Sequence, residues 1–176
     1  MRWAALLKGV NVGGNRKLPM ADLRAFLAGL GFTDVKTLLA SGNAVFDADE
    51  TDGAALESQL ERAAKTQLGL DTAWLLRSHA DLVAIVAANP FADAAAAHPN
   101  HLLVHFHRDP VPVALLDALV HDGPERLSAL GRELFVDYPD DVGHSKLPQA
   151  MARAKFPKLA TARNWNSLLK LVELTA

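Results

Sequence analysis

Short apolar blocks and helical stripes alternate along this 176-residue chain, and the same order of elements can be read in each half. Arg2 to Val10 is an apolar run without helical period, bounded by glycine, and predicts a first strand. After the loop Asn11 to Leu18, Pro19 suits a first helical turn. Leu23, Phe26, Leu27 and Leu30 then recur at helical spacing and are closed by Gly31. Val35 to Ala40 and Ala44 to Asp47 flank Ser41-Gly42-Asn43, which predicts an antiparallel hairpin. Asp52 can cap a helix with Leu56, Leu60, Ala64 and Leu68 on one stripe, ended by Gly69, and Thr72 to Arg77 predicts a fourth strand. Strand, helix, strand, strand, helix, strand is the split arrangement of ferredoxin-like domains.

The second half repeats this order less cleanly. Ser78 to Asn89 reads as a linking helix, with Ser78 and Asp81 spaced as a capping box, and Pro90 ends it. Phe91 to Asn100 is the expected interdomain linker, with an alanine run able to add a helical turn. His101 to Arg108 alternates as a strand. Val113 to His121 is predicted helical, with Leu115, Leu116, Leu119 and Val120 inward, and Glu125 to Leu130 pairs with Arg132 to Tyr138 around Gly131. Ser145 to Phe156 and Thr161 to Leu174 are predicted as helices, the last standing where a fourth strand would complete the repeat. Ser145 and Thr161 are the expected caps, which puts Arg163 and Asn164 in a first helical turn. The fold expected is α+β: two ferredoxin-like (alpha-beta plait) units, residues 1–90 and 91–176, with a closing C-terminal helix. Bulky residues on both faces of the first-half strands, such as Trp74 beside Leu75 and Leu76, predict a sheet covered on both sides.

Composition narrows the functional classes. With 50% apolar and 22% charged residues the chain has the make-up of a globular protein, and 18 basic against 20 acidic residues give no global positive field to gather nucleic acid. The absence of cysteine excludes disulfides, thiolate nucleophiles and cysteine-ligated metals, and fits a cytoplasmic location. No apolar run approaches the roughly 20 residues of a membrane helix, so no membrane partner is expected.

The loop Gly9 to Lys17 is the strongest site candidate. Gly13 and Gly14 can free successive backbone N–H groups for an anion, the following helix begins with its positive end, and Lys8, Arg16 and Lys17 add charge. A phosphate or carboxylate suits such a loop. It is not a Walker A loop, since Asn15 holds the lysine position, and it lacks the third glycine of a dinucleotide fingerprint. The alternative is a strand-to-helix turn whose glycines supply positive φ and whose basic residues are solvated.

Other constellations are weaker. His101, His105 and His107 share one strand face, but no third and fourth ligand accompanies His105 and His107. No metal or other cofactor is expected, and a polar face toward solvent or a partner domain accounts for the pattern. Ser145 and Lys146, adjacent on a helix, point about 100° apart and do not make a nucleophile–base dyad. Trp3 and Phe46 are the only aromatics placed for a single-stranded RNA platform, and the usual glycine-aromatic motif is missing.

Two long segments carry a resemblance. LLKGVNVGGNRKLPMADLRAFLAGLGFTDVKTLLASGNAVF, together with GHSKL and TARNWNSLLKL, resembles an uncharacterised bacterial family, the domain of unknown function numbered sixteen ninety-seven. The resemblance spans nearly the whole chain and implies two alpha-beta plait domains, with no activity to carry over. Its implied signature positions are Asn11, Gly13, Gly14, Lys17, Pro19, Asp22, Leu23 and Arg24, then Ser41-Gly42-Asn43, Ser145-Lys146-Leu147, and Thr161, Arg163, Asn164 and Trp165. The family more often has arginine where Lys8 stands, and an acidic residue in the helix where this chain reads AMARAKFPK. The ligand-binding set expected is Asn11, Gly13, Gly14, Lys17, Ser41, Asn43, Lys146, Arg163 and Asn164, with a small anionic molecule as partner. Arg163 and Asn164 are expected to join Lys17 and the glycines in one cleft. An enzyme acting on such a molecule, a protein-interaction module and a single-stranded RNA binder are the other classes left open.

Overall fold

The computed structural model describes residues 1–12 and 16–176. The chain separates into two compact units, Met1–Ala84 with Lys170–Ala176, and Ile85–Leu169. The architecture is α+β, with two four-stranded antiparallel sheets and, among the described residues, seven α-helices, the last at the C-terminus.

In the first unit, β1 (Arg2–Leu7), α1 (Met20–Gly29), β2 (Thr33–Leu38), β3 (Asn43–Asp47), α2 (Gly53–Leu68) and β4 (Trp74–Ser78) form a sheet of order β2-β3-β1-β4. Alternation along β1 sends Trp3, Ala5 and Leu7 into a core with Leu23, Phe26 and Leu27 of α1 and Leu56, Leu60 and Ala64 of α2. The opposite face, with Ala4 and Leu6, is also fully buried, as the two-sided apolar pattern predicts. Asp52 caps α2 by accepting from the Ala54 and Ala55 amides, and Gly69 ends that helix in the left-handed region at φ 63°. The Ser78–Asp81 capping box forms at the start of α3 (His79–Ala87): Ser78 N–H donates to Asp81 Oδ2 at 2.9 Å, and Asp81 N–H donates to Ser78 Oγ at 3.2 Å.

β4 is an edge strand, and α2 closes that edge. Leu76 N–H donates to Glu57 Oε1 at 2.8 Å and Trp74 N–H to Glu61 Oε1 at 3.0 Å. Two glutamates one helical turn apart thus take the outward amides two residues apart on the strand, where another chain would otherwise pair.

The second unit runs α4 (Ala92–Ala97), a 3-10 turn at Pro99–His101, β5 (Leu102–His107), α5 (Val113–Ala118), β6 (Arg126–Leu130), β7 (Glu133–Asp137), α6 (Leu147–Arg153) and β8 (Ala160–Asn164), followed by α7 (Trp165–Thr175). Its sheet order, β6-β7-β5-β8, matches the first. Three readings of the sequence are corrected here. The expected linker is built structure: α4 buries Phe91 and Ala94, with the Arg126 guanidinium 4.6 Å above the Phe91 ring. The helix expected to His121 stops at Ala118. Leu119 turns extended onto the core, which leaves Val120 exposed rather than inward. The fourth strand, read as absent, is β8, paired antiparallel to β5 with Arg163 opposite Val104.

Candidate functional site

The loop after β1 is held by Asn11. Its backbone is left-handed, φ 54°, and its amide Nδ2 donates to Leu18 O at 2.9 Å and Ala40 O at 2.7 Å, while Oδ1 accepts Leu18 N–H at 2.8 Å. With Asn11 N–H donating to Arg16 O at 3.1 Å, the residue ties both ends of the loop to the β2–β3 turn. Asn11 therefore shapes the site, its amide being committed to main-chain groups. Gly13 and Gly14, the expected anion-cradling pair, lie outside the described residues.

A cavity of about 430 Å³ opens beside this loop, lined by Asn11, Lys17, Leu18, Pro19, Met20 and Ala40. Lys17 and Arg16 are exposed, and neither makes an ion pair with a described residue. At the N-terminus of α1, Pro19 occupies the cap position without a side-chain hydrogen bond, so no side chain caps the first-turn amides. Asp22 in that turn is the local acid. Two other cavities have the opposite electrostatics. One is lined by Asp47, Asp49 and Glu50, the other by Asp122, Glu125, Asp140 and Asp141.

The hairpin motif is structural. Asn43 is fully buried and donates from Nδ2 to Leu38 O at 2.7 Å and Ser41 Oγ at 3.1 Å. Gly42 has φ 88°, and a Cβ there would sit 2.4 Å from Val10 Cγ2, so both conformation and space demand glycine. Its carbonyl accepts the Leu7 amide at 2.9 Å, which brings Ser41-Gly42-Asn43 against the end of β1.

Lys146, Arg163 and Asn164 belong to the second unit. Lys146 is exposed and lines the acidic cavity with Ser145. Ser145 accepts the Leu147 amide at 3.0 Å and donates its hydroxyl to Glu125 Oε1, so it is hydrogen-bonded to a carboxylate rather than to Lys146. Burial, with the same Glu125 adding repulsion, pushes the Tyr138 phenol up to about 12. Arg163 and Asn164 are not in a helical first turn: both lie in β8, and Asn164, not Thr161, caps α7 by accepting Ser167 N–H at 2.9 Å. The Arg163 side chain is buried, donates from Nη1 to Thr161 Oγ1 at 2.7 Å and Ala162 O at 2.8 Å, and is lowered by burial to about 10.

The histidine face of β5 is not a solvent face. His105 lies opposite Leu134, which packs in the core with Val136, Leu147 and Met151. Its Nε2 is shut from solvent without a hydrogen-bond partner, and burial, with His107 adding repulsion, holds the ring down at about 4. No group of three or more His, Asp or Glu suited to a metal ion occurs among the described residues. Trp3 and Phe46 are both buried in the first core, and the Trp3 indole donates to Glu50 O at 3.2 Å, so neither ring offers a stacking surface.

A family model described as "Protein of unknown function (DUF1697)" matches residues 1–135, and the chain belongs to that family. Among solved structures it is similar to the conserved bacterial protein SP0830 from Streptococcus pneumoniae, with 25% identity, a TM-score of 0.79, and coverage of 99% of this chain and 98% of that one. No curated protein matches.

Proposed function

We propose that the protein binds a small phosphate- or carboxylate-bearing molecule at the loop between β1 and α1. The observation that carries this reading is Lys17, a cation without an acidic partner among the described residues, on the wall of a cavity that ends at an α1 N-terminus lacking a side-chain cap. An anion there would gain a charged hydrogen bond from Lys17 and the favourable end of the helix dipole. The acidic lining of the two cavities at Asp47–Glu50 and Asp122–Asp141 disfavours such a ligand there.

The same reading takes the two units as ferredoxin-like plaits. Strand, helix, strand, strand, helix, strand recurs in β1 to β4 and in β5 to β8 with identical antiparallel sheet order. No helix among the described residues is long and apolar enough to cross a membrane. We place the protein in the cytoplasm, in keeping with a chain free of cysteine.

Isothermal titration with inorganic phosphate and with acetate tests the site. Saturable binding of either, weakened about tenfold or more in Lys17→Ala with the melting temperature unchanged, supports it. Absence of saturable binding by any phosphate or carboxylate tried, or an affinity indifferent to Lys17, removes it. Turnover of a bound molecule would then separate an enzyme from a binding protein.

A further inference from the structure

We infer that the ligand of the Lys17 cavity is an amphiphilic anion, one acidic group carried on an apolar body, rather than a bare or polyanionic species; this rests on the anion-binding reading above. The lining decides it. Leu18, Pro19, Met20 and Ala40 present hydrocarbon or saturated ring, and Asn11, the polar residue among them, has both amide donors and its oxygen committed to Leu18 and Ala40 main-chain groups. Groups able to meet charge lie at one end of the described wall, the Lys17 ammonium and the uncapped first turn of α1, and the other described lining, Asn11 apart, is apolar. A ligand bearing several charges or hydroxyls would leave most of them facing hydrocarbon, where an unpaired polar group is costly. A ligand with one anionic end and an apolar remainder satisfies Lys17 and covers the wall.

Size points the same way. At about 430 Å³ the cavity falls in the range of small-molecule sites, far larger than a phosphate or acetate ion needs. Sites of that size combine apolar walls with a few placed polar groups, the former supplying affinity and the latter orientation. The apolar environment continues outside the cavity: Val12 and Leu39, at the two loops that Asn11 ties together, are both largely exposed.

The probes are inorganic phosphate, phenyl phosphate and benzyl alcohol, titrated into the wild-type protein, Lys17→Ala and Met20→Gln. Phenyl phosphate is expected to bind at least tenfold tighter than inorganic phosphate. Lys17→Ala should weaken both anions, and Met20→Gln should shrink the ratio by which phenyl phosphate outbinds inorganic phosphate. Equal affinity for the two phosphates overturns the amphiphile inference and leaves the anion site standing. Benzyl alcohol binding as tightly as phenyl phosphate overturns the role of the charge. Failure of both phosphates to bind overturns the anion site and this inference together.

Discussion

Arg77 and Arg163 occupy equivalent positions in the two sheets. Each stands on the last strand of its unit, opposite Ala4 of β1 or Val104 of β5, and each donates Nη1 to the carbonyl of the residue before it at 2.8 Å. Each is followed by a helix cap, Ser78 or Asn164, and then by a fully buried leucine, Leu82 or Leu168. The segments RSHADL and RNWNSL are thus one structural phrase written twice.

Equivalence gives the arginines a folding role. Arg163→Ala and Arg77→Ala should each lower unfolding free energy by about 2–4 kcal/mol in urea titrations, through lost hydrogen bonds and lost packing of the buried stem. Lysine in either place should recover only part of it, since a point charge cannot fork between acceptors. A variant Arg163→Ala as stable as the parent but unable to bind anions would instead return Arg163 to the ligand-binding set.

The edge of β4 yields a second expectation. Glu57→Ala removes the acceptor of the Leu76 amide inside a buried layer and should cost about 1–3 kcal/mol, whereas Glu57→Gln keeps an acceptor oxygen and should cost less. Glu61→Ala, at a less buried position, should cost less than Glu57→Ala. Light scattering on Glu57→Ala checks the other half of the role, because an opened strand edge recruits neighbouring chains.

Asn11→Ala should destabilise by about 2–3 kcal/mol, from three main-chain hydrogen bonds lost and a left-handed backbone that alanine resists. Asn11→Gly keeps the conformation and loses the bonds, so the difference between the two variants, read from denaturation midpoints, separates the two causes.

His105 makes the second unit acid-sensitive. Its folded value, about 4, lies below the ordinary 6.5, so the unfolded chain takes up the proton first. Stability is therefore complete above about pH 6.5 and falls as pH drops from there toward 4. The expected loss is on the order of 3 kcal/mol, from a shift of that size in one buried ring. Urea midpoints across this window should show the slope, and His105→Phe should flatten it; equal slopes in both proteins would contradict the assignment.

The first unit is legible in sequence because its alternation is hydrophobic: Trp3, Ala5 and Leu7 point one way, and the helices carry matching stripes. β8 is illegible for the converse reason. Ala160, Thr161, Ala162, Arg163 and Asn164 offer no apolar face, Arg163 is buried through hydrogen bonds, and Thr161 before a helical stripe imitates a cap. The signal that finds β8 is the recurrence of an arginine, a cap and a leucine from residues 77–82. At the candidate site, the charge of Lys17 is plain from the sequence, whereas its place on a cavity wall and the commitment of Asn11, Ser41 and Asn43 to local hydrogen bonds need coordinates. Identity alone does not tell an amide that shapes a loop from one that meets a ligand.

The first unit is made from both ends of the chain: Arg2 Nε donates to Leu174 O at 2.9 Å, and the His79 ring meets Thr175 Oγ1 at 3.0 Å. On the ribosome, Met1–Ala84 therefore waits for Lys170–Ala176 before its unit is complete, while Ile85–Leu169 is synthesised in between. The usual vectorial order, in which an N-terminal unit finishes ahead of its successor, is reversed for the last step. A stalled or clipped nascent chain would expose an unfinished first unit beside a finished second one.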